Sequence, residues 1–124
     1  MSRIFIAMKK IFIVEDDPGI RELLDFLLSS HGYEIITFPT AKDFTRTISH
    51  EDPDLILMDV MLPDGNGQDL CRDLANTPNK KQIPVMLMSA HASIDLAIEG
   101  NAKDFIPKPF DIDNLLKRIE KQLH

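Results

Sequence analysis

The sequence contains only one cysteine, Cys71, and lacks the marks of a secreted or membrane-spanning chain. A single thiol cannot form an internal disulfide bond, which is typical of proteins in a reducing compartment. No apolar run approaches the roughly 20 residues that cross a bilayer, and the N-terminus lacks the pattern of a secretory signal. These absences exclude a domain held by internal disulfides and favour a soluble protein in the cytoplasm.

The chain is also short of basic residues, with 14 Lys and Arg against 20 Asp and Glu and a formal net charge of −6. Non-specific binding to nucleic acid depends on basic side chains that neutralise phosphates, and an anionic membrane surface would repel the chain for the same reason. No spacing of histidine with cysteine or acidic residues indicates a zinc site. We therefore expect no direct contact with nucleic acid or membranes.

The length of 124 residues leaves room for one domain, because a domain usually takes about 100–200 residues. The sequence has no Gly/Ser-rich linker, no low-complexity tract and no internal repeat. The hydrophobic fraction of 44% and the charged fraction of 27% are typical of a globular fold. We predict an N-terminal extension at residues 1–8 and a stand-alone domain at residues 9–124, which would act through another molecule.

Two hydrophobic patterns alternate along the chain. Short, nearly continuous apolar runs are typical of parallel strands covered on both faces, and they predict strands at Ile11–Val14, Tyr33–Phe38, Leu55–Met58, Ile83–Met88 and Phe105–Ile106. Amphipathic segments predict helices from the N-cap Asp17 to His31, and at Ala41–Ser49, Gln68–Asn76, Ser93–Glu99 and Asp111–Leu123. Regular alternation of this kind predicts an α/β fold with a doubly wound five-stranded parallel sheet and helices on both faces.

Polar residues follow four of these strands, at the sheet edge where ligands bind in such folds. Glu15 and Asp16 follow the first strand, Asp59 ends the third, Ser89 follows the fourth and Lys108 follows the fifth. If strands one and three are neighbours, Glu15 or Asp16 converges with Asp59, and carboxylates that close need a cation such as Mg²⁺. Carboxylates, a metal, an ammonium and a hydroxyl are the groups that phosphoryl transfer needs, with Asp59 as the acceptor.

Five motifs resemble the receiver domain of two-component response regulators, in the order in which that family carries them. They are Ile11–Asp17, Pro53–Asp59, Met61–Gly67, Met88–Ala90 and Lys108–Phe110. The resemblance runs from about Lys9 to the C-terminus, and five motifs that each follow a predicted strand are together far more specific than any one. The fold that the resemblance implies is flavodoxin-like, (βα)5.

The resemblance implies a role for each matching residue. Asp59 would accept a phosphoryl group from the phosphohistidine of a sensor histidine kinase or of a histidine phosphotransfer protein. Asp16, Asp59 and the backbone carbonyl of Met61 would bind Mg²⁺, with Mn²⁺ as a second candidate ion. Glu15 replaces the aspartate that is more frequent at its position, so its longer side chain would reach the metal through water. Lys108 would pair with the phosphate.

The resemblance also implies a switch. Ser89 matches the hydroxyl that turns towards the phosphate, and Phe105 matches the aromatic residue that moves with it, although a plain core role for Phe105 is about equally compatible with the sequence. The bond between Lys108 and Pro109 would be cis. The implied output face lies on the fourth predicted helix, fifth predicted strand and fifth predicted helix, where a downstream protein or a second phosphorylated copy would bind.

Two further features distinguish this sequence. The segment between Ser89 and Lys108 is shorter than is usual in the family, so the fourth helix or the loop before it must be shortened. The resemblance also implies that Met61 and His91 would flank the phosphate, and we hypothesise that these bulky side chains slow the loss of phosphate.

Two alternative functions remain open at this point, a pseudo-receiver that only binds a protein and a small Mg²⁺-dependent phosphatase. The intact carboxylates, hydroxyl and lysine argue against the first. Val60 and Met61 follow Asp59 and supply no general acid, which argues against the second. We predict a signalling protein that catalyses only its own phosphorylation and slow autodephosphorylation.

Overall fold

The computed structural model describes residues 8–90 and 102–124. Its elements are β1 (Lys10–Val14), α1 (Pro18–Ser30), β2 (Glu34–Phe38), α2 (Ala41–Ile48), β3 (Leu55–Asp59), β4 (Met61–Leu62), β5 (Gly65–Asn66), α3 (Gly67–Ala75), β6 (Val85–Ser89), β7 (Asp104–Pro107) and α4 (Ile112–Leu123). The predicted helix at Ser93–Glu99, His91 and residues 1–7 lie outside the described residues.

Five of the strands form one parallel sheet, in the order β2-β1-β3-β6-β7. In β1 and β3, Val14 is paired with Met58, so the carboxyl ends of these two strands lie side by side. The next pair along the sheet joins Asp59 of β3 to Met88 of β6. The prediction of a doubly wound five-stranded parallel sheet is confirmed.

The core consists of two hydrophobic layers on opposite faces of the sheet. Alternate residues of each buried strand enter opposite layers, because side chains along a strand point to alternating faces. One layer joins Phe12 and Met58 to α2 and α3 through Phe44 and Leu74. The other joins the strands to α1 and α4 through residues that include Leu24, Leu28, Leu115 and Ile119. Burial on both faces explains why β1, β3 and β6 are almost continuously apolar in the sequence.

The element boundaries differ from the predictions by one or two residues. The largest difference is at Ile83, which precedes β6 instead of belonging to it. Pro84 has no N–H to donate to a strand, although its carbonyl accepts a hydrogen bond from the Ile56 N–H at 3.0 Å. The predicted N-cap at Asp17 is confirmed, since its carboxylate accepts from the Ile20 N–H at 3.0 Å.

One element is absent from the predictions. Met61 and Leu62 of β4 pair antiparallel with Asn66 and Gly65 of β5, so a two-stranded hairpin connects β3 to α3. Strands of two residues leave no periodicity for sequence analysis to detect. The hairpin follows Asp59 directly and shapes the edge of the sheet there.

Candidate functional site

Three acidic side chains meet at the carboxyl edge of the sheet. Glu15 follows β1, Asp16 is next in sequence and Asp59 ends β3. One oxygen from each carboxylate lies within 4.8 Å of the other two. The adjacency of β1 and β3 therefore brings together the carboxylates that sequence analysis selected.

Lys108 reaches the same point from the other side. It follows β7, and its backbone N–H donates to the Ser89 carbonyl at 2.9 Å, which continues the pairing of β6 with β7. Its ammonium donates to Asp59 Oδ2 at 2.7 Å and to Glu15 Oε1. The bond between Lys108 and Pro109 is cis. One partly buried ammonium thus contacts two carboxylates.

Burial dominates the electrostatics of this cluster. Glu15 is fully buried. Desolvation raises the pKa of Glu15 to about 7, although the hydrogen bond from Lys108 acts in the opposite direction. Desolvation lowers the pKa of Lys108, but its hydrogen bonds to Asp59 and Glu15 outweigh that effect, and the net shift is upward. The lysine therefore stays charged at neutral pH. Because it contacts two of the three carboxylates, the cluster still attracts a further cation.

The backbone around Asp59 is fixed by close contacts. Asp59 Oδ1 accepts a hydrogen bond from the Met61 N–H at 3.2 Å. Gly67, the first residue of α3, donates to the Val60 carbonyl at 2.8 Å. A Cβ atom at position 67 would lie 2.3 Å from the Asp59 carbonyl oxygen, so only glycine fits there without a shift of the backbone. The hairpin and α3 thereby hold the carboxylate in place.

Arg21, in the first turns of α1, is a residue that sequence analysis missed. Its Nη1 donates to the Glu15 carbonyl at 2.8 Å and to the Asp16 carbonyl at 3.2 Å. The Asp17 N–H donates to Glu15 Oε2 at 3.3 Å. The available signal was an arginine five positions after Asp16, where one further helical turn brings a long side chain back over the loop.

Of the remaining predicted residues, Met61 and Ser89 line a cavity of about 310 Å³ at the acidic cluster. It is lined by Glu15, Asp16, Asp17, Ile20, Asp59, Met61, Ser89, Ala90 and Lys108. Ser89 is buried, whereas the Met61 side chain is 68% exposed at the rim. Phe105 does not line the cavity; it is half-buried and packs against the core layer that contains Leu87. His91 lies outside the described residues.

The ligands available at this edge suit a hard divalent cation. Glu15, Asp16 and Asp59 offer carboxylate oxygens, and the cluster carries one more carboxylate than its lysine contacts. Mg²⁺ prefers oxygen ligands, and commonly takes one or two carboxylates while it keeps several waters. Asp16 is exposed, so the cluster is open to solvent on one side. The residues present therefore fit Mg²⁺.

The described residues include no helix long and apolar enough to cross a membrane.

Comparisons with known proteins identify the same architecture. A family model described as the response regulator receiver domain matches residues 11–120. The signal receiver domain of a signal transduction histidine kinase from Syntrophus aciditrophicus is 33% identical, with a TM-score of 0.87 over 93% of this chain and 89% of that chain. A CheY-like response regulator receiver domain protein from Methanospirillum hungatei is 28% identical, with a TM-score of 0.87 over 94% of both chains.

A third similar structure is that of a response regulator bound to a metal. The response regulator protein TrrA from Thermotoga maritima was solved in complex with Mg²⁺-BeF. It is 28% identical, with a TM-score of 0.84 over 94% of this chain and 100% of that chain.

Proposed function

The chain belongs to the response regulator receiver domain family, and from this premise we propose that Asp59 accepts a phosphoryl group and switches the domain between two signalling states. The observation that carries the proposal is the ammonium of Lys108, which lies 2.7 Å from Asp59 Oδ2 inside the acidic cluster. The donor would be the phosphohistidine of a sensor histidine kinase or of a histidine phosphotransfer protein. The receiver domain itself is a module of two-component signalling, so this donor is the chemical class that the family implies.

The proposed reaction forms a bond between a carboxylate oxygen of Asp59 and phosphorus while the bond from phosphorus to the imidazole nitrogen breaks. The electron pair of that bond returns to the imidazole, and the product is an acyl phosphate. Lys108 would pair with the phosphoryl oxygens, and the Met61 N–H would orient the acceptor carboxylate through its hydrogen bond to Oδ1. Positioning and charge neutralisation of this kind provide most of the catalysis in phosphoryl transfer.

We propose that Mg²⁺ binds to Asp16, Asp59 and the Met61 carbonyl, with Glu15 in direct or water-mediated contact. Mn²⁺ has the same preference for oxygen ligands and is the second candidate. The ion would supply positive charge beside the phosphoryl oxygens. Support comes from the cluster of carboxylates and from the similar response regulator that was solved with Mg²⁺-BeF.

The signal would leave through Ser89 and Phe105. Phosphorylation would shift an equilibrium between two arrangements of these side chains, and the shift would change the surface of β7 and α4, where a downstream protein or a second copy of the chain would bind. Arg118 of α4 donates to the Phe105 carbonyl at 3.0 Å, so strand and helix are already joined next to that side chain. Met61 and His91 would slow hydrolysis of the acyl phosphate, and the chain would catalyse no other reaction.

The test is to incubate the full chain with acetyl phosphate and Mg²⁺ and to measure its intact mass. We expect wild type and Asp73→Asn, which alters an exposed carboxylate of α3, to gain one phosphoryl group each. Asp59→Asn should gain none, and removal of Mg²⁺ with a chelator should abolish the gain in every protein. A wild type without an adduct, or an adduct that survives in Asp59→Asn, would contradict the proposal.

A further inference from the structure

We propose that Arg21 is a positioning residue for the acidic cluster: by holding two peptide carbonyls, it sets the spacing of the carboxylates that bind the divalent cation. This inference rests on the proposed function, because it concerns the metal affinity of the same site. Arg21 does not line the cavity at the cluster and is not argued to touch the metal or the phosphoryl group. It acts on the loop of residues 15–17, which connects β1 to α1 and carries two of the three carboxylates.

Arg21 contacts the loop directly after the end of β1. Sheet pairing of β1 ends at Val14, so the carbonyls of Glu15 and Asp16 come after the last strand pair. A single guanidinium nitrogen of Arg21 donates to both of them, at 2.8 Å and 3.2 Å. Because the two carbonyls share one donor, the guanidinium fixes the peptide planes on both sides of the Asp16 Cα, and with them the direction in which the Asp16 side chain leaves the backbone.

Arg21 is itself anchored to the end of the loop that it holds. Its backbone N–H donates to the Asp17 carbonyl at 2.9 Å, and the Asp17 carboxylate accepts from the Ile20 N–H at 3.0 Å. The backbone of Arg21 thus holds the end of the loop at Asp17, and its side chain holds the beginning of the loop at Glu15 and Asp16. Glu15 also makes hydrogen bonds that do not involve the guanidinium. Its N–H donates to the Phe38 carbonyl, and its carboxylate accepts from the Asp17 N–H and from the Lys108 ammonium. None of these contacts involves the carbonyl of Asp16.

The charge of Arg21 and its positioning role predict opposite effects on metal binding. A guanidinium close to the cluster repels a divalent cation, so its removal would strengthen binding if charge were the larger effect. Loss of the hydrogen bonds would weaken binding, because substitutions of residues that orient metal ligands typically reduce metal affinity by about 10–100-fold. Arg21 is partly exposed, and solvent screens its charge, so we expect the loss of positioning to dominate.

The test is an electron paramagnetic resonance titration of the full chain with Mn²⁺, which reports both the dissociation constant and the number of sites. The variants are Arg21→Met and Arg21→Gln, and the matched control is Arg72→Met, which removes an exposed arginine of α3 with the same change in net charge. We expect both Arg21 variants to bind Mn²⁺ about tenfold or more weakly at an unchanged number of sites, as for other residues that orient metal ligands. Arg72→Met should bind Mn²⁺ like wild type.

A second readout separates positioning from a general loss of structure. The Mg²⁺ concentration that gives half-maximal phosphorylation by acetyl phosphate should rise in Arg21→Met, and the rate at saturating Mg²⁺ should return towards that of wild type. A merely structural role would instead lower the number of Mn²⁺ sites and leave the affinity of the folded fraction unchanged, and that result would overturn the inference. Unchanged or tighter Mn²⁺ binding by the Arg21 variants would overturn it as well. If Arg21→Met does not fold, Arg21→Gln decides between the same outcomes.

Failure of this inference is distinguishable from failure of the proposed function. Wild type that binds no Mn²⁺ and gains no phosphoryl group contradicts the function itself. Wild type that does both, with Arg21 variants that bind Mn²⁺ equally well, overturns only the role of Arg21.

Discussion

The two edges of the sheet use lysine and carboxylate side chains in different ways. At the amino edge, Lys80 pairs with Asp52, and Lys10 donates to Glu51 at 2.7 Å. The anions there face solvent, with side-chain exposures of 54% for Asp52 and 32% for Glu51. At the carboxyl edge, Lys108 meets Glu15 and Asp59 instead, and these side chains are 0% and 10% exposed.

The difference shows how burial determines what an ion pair can do. A pair whose anion is open to solvent is screened by water and usually contributes about 1 kcal/mol or less. The amino-edge pairs therefore mainly hold Lys10 and the buried Lys80 against the chain segment before β3. Buried carboxylates cannot be solvated, so they either take up protons or attract cations. The raised pKa of Glu15 results mainly from its burial, whereas the carboxylates at the amino edge are open to solvent.

The largest effect should come from Lys108→Met at the carboxyl edge, with Lys80→Met as its counterpart at the amino edge. Lys108→Met should slow phosphorylation by acetyl phosphate about 10²–10³-fold, which is the usual cost of removing one group that stabilises developing charge. Lys80→Met should leave this rate unchanged and lower the free energy of unfolding by about 1 kcal/mol, because the exposed Asp52 remains solvated and methionine occupies the space of the buried lysine side chain. Rates from intact mass and unfolding in urea measure the two effects. Equal rates in the two variants would remove the distinction between the edges.

A smaller effect is expected from the glycines beside the carboxyl edge. Gly67→Ala places a Cβ 2.3 Å from the Asp59 carbonyl oxygen, which forces a backbone shift and should lower the free energy of unfolding by about 1–3 kcal/mol. It should also slow phosphorylation, because the acceptor carboxylate moves. The control is Gly65→Ala. Its Cβ would lie 3.2 Å from the Ala41 Cβ, which is a longer and less strained contact than the 2.3 Å contact at position 67 and does not involve Asp59. Urea unfolding of the two variants should rank them in this order, and the reverse order would count against the packing argument.

The smallest effect concerns an exposed carboxylate next to the same edge. Hydrogen bonds from the backbone N–H groups of Ala41 and Lys42 lower the pKa of Asp64, the opposite direction to Glu15. A lowered pKa stabilises the fold above the unfolded pKa near 3.8, and this stabilisation is lost as the pH falls through the folded value. The deficit of Asp64→Asn relative to wild type should therefore be constant from neutral pH to about pH 5 and shrink below pH 3.8 in thermal unfolding. A deficit that grows as the pH falls would show that the carboxylate charge does not stabilise the first turn of α2.

Local patterns predicted the strands and the polar residues that follow them, because both depend on neighbours in sequence. The apolar runs at β1 and β3 reflect burial on both faces, and the polar residues that follow them are placed at the sheet edge by chain direction alone. The hairpin of β4 and β5 was missed because two-residue strands show no alternation. Arg21 was missed because its partners are peptide carbonyls, which every residue carries, so its spacing from Asp16 was a weak signal.

The sequence by itself determined the order of elements, the parallel sheet and the residue types at its carboxyl edge, because hydrophobic periodicity and chain direction depend only on residues that are close in sequence. Only the tertiary structure decided which charges meet. Lys108 and Glu15 are 93 positions apart, and their contact depends on the adjacency of β1 and β3 and on the path of the chain after β7. The burial of Glu15 was decided there too, because desolvation of a carboxylate depends on everything packed around it and not on the residues beside it in the sequence.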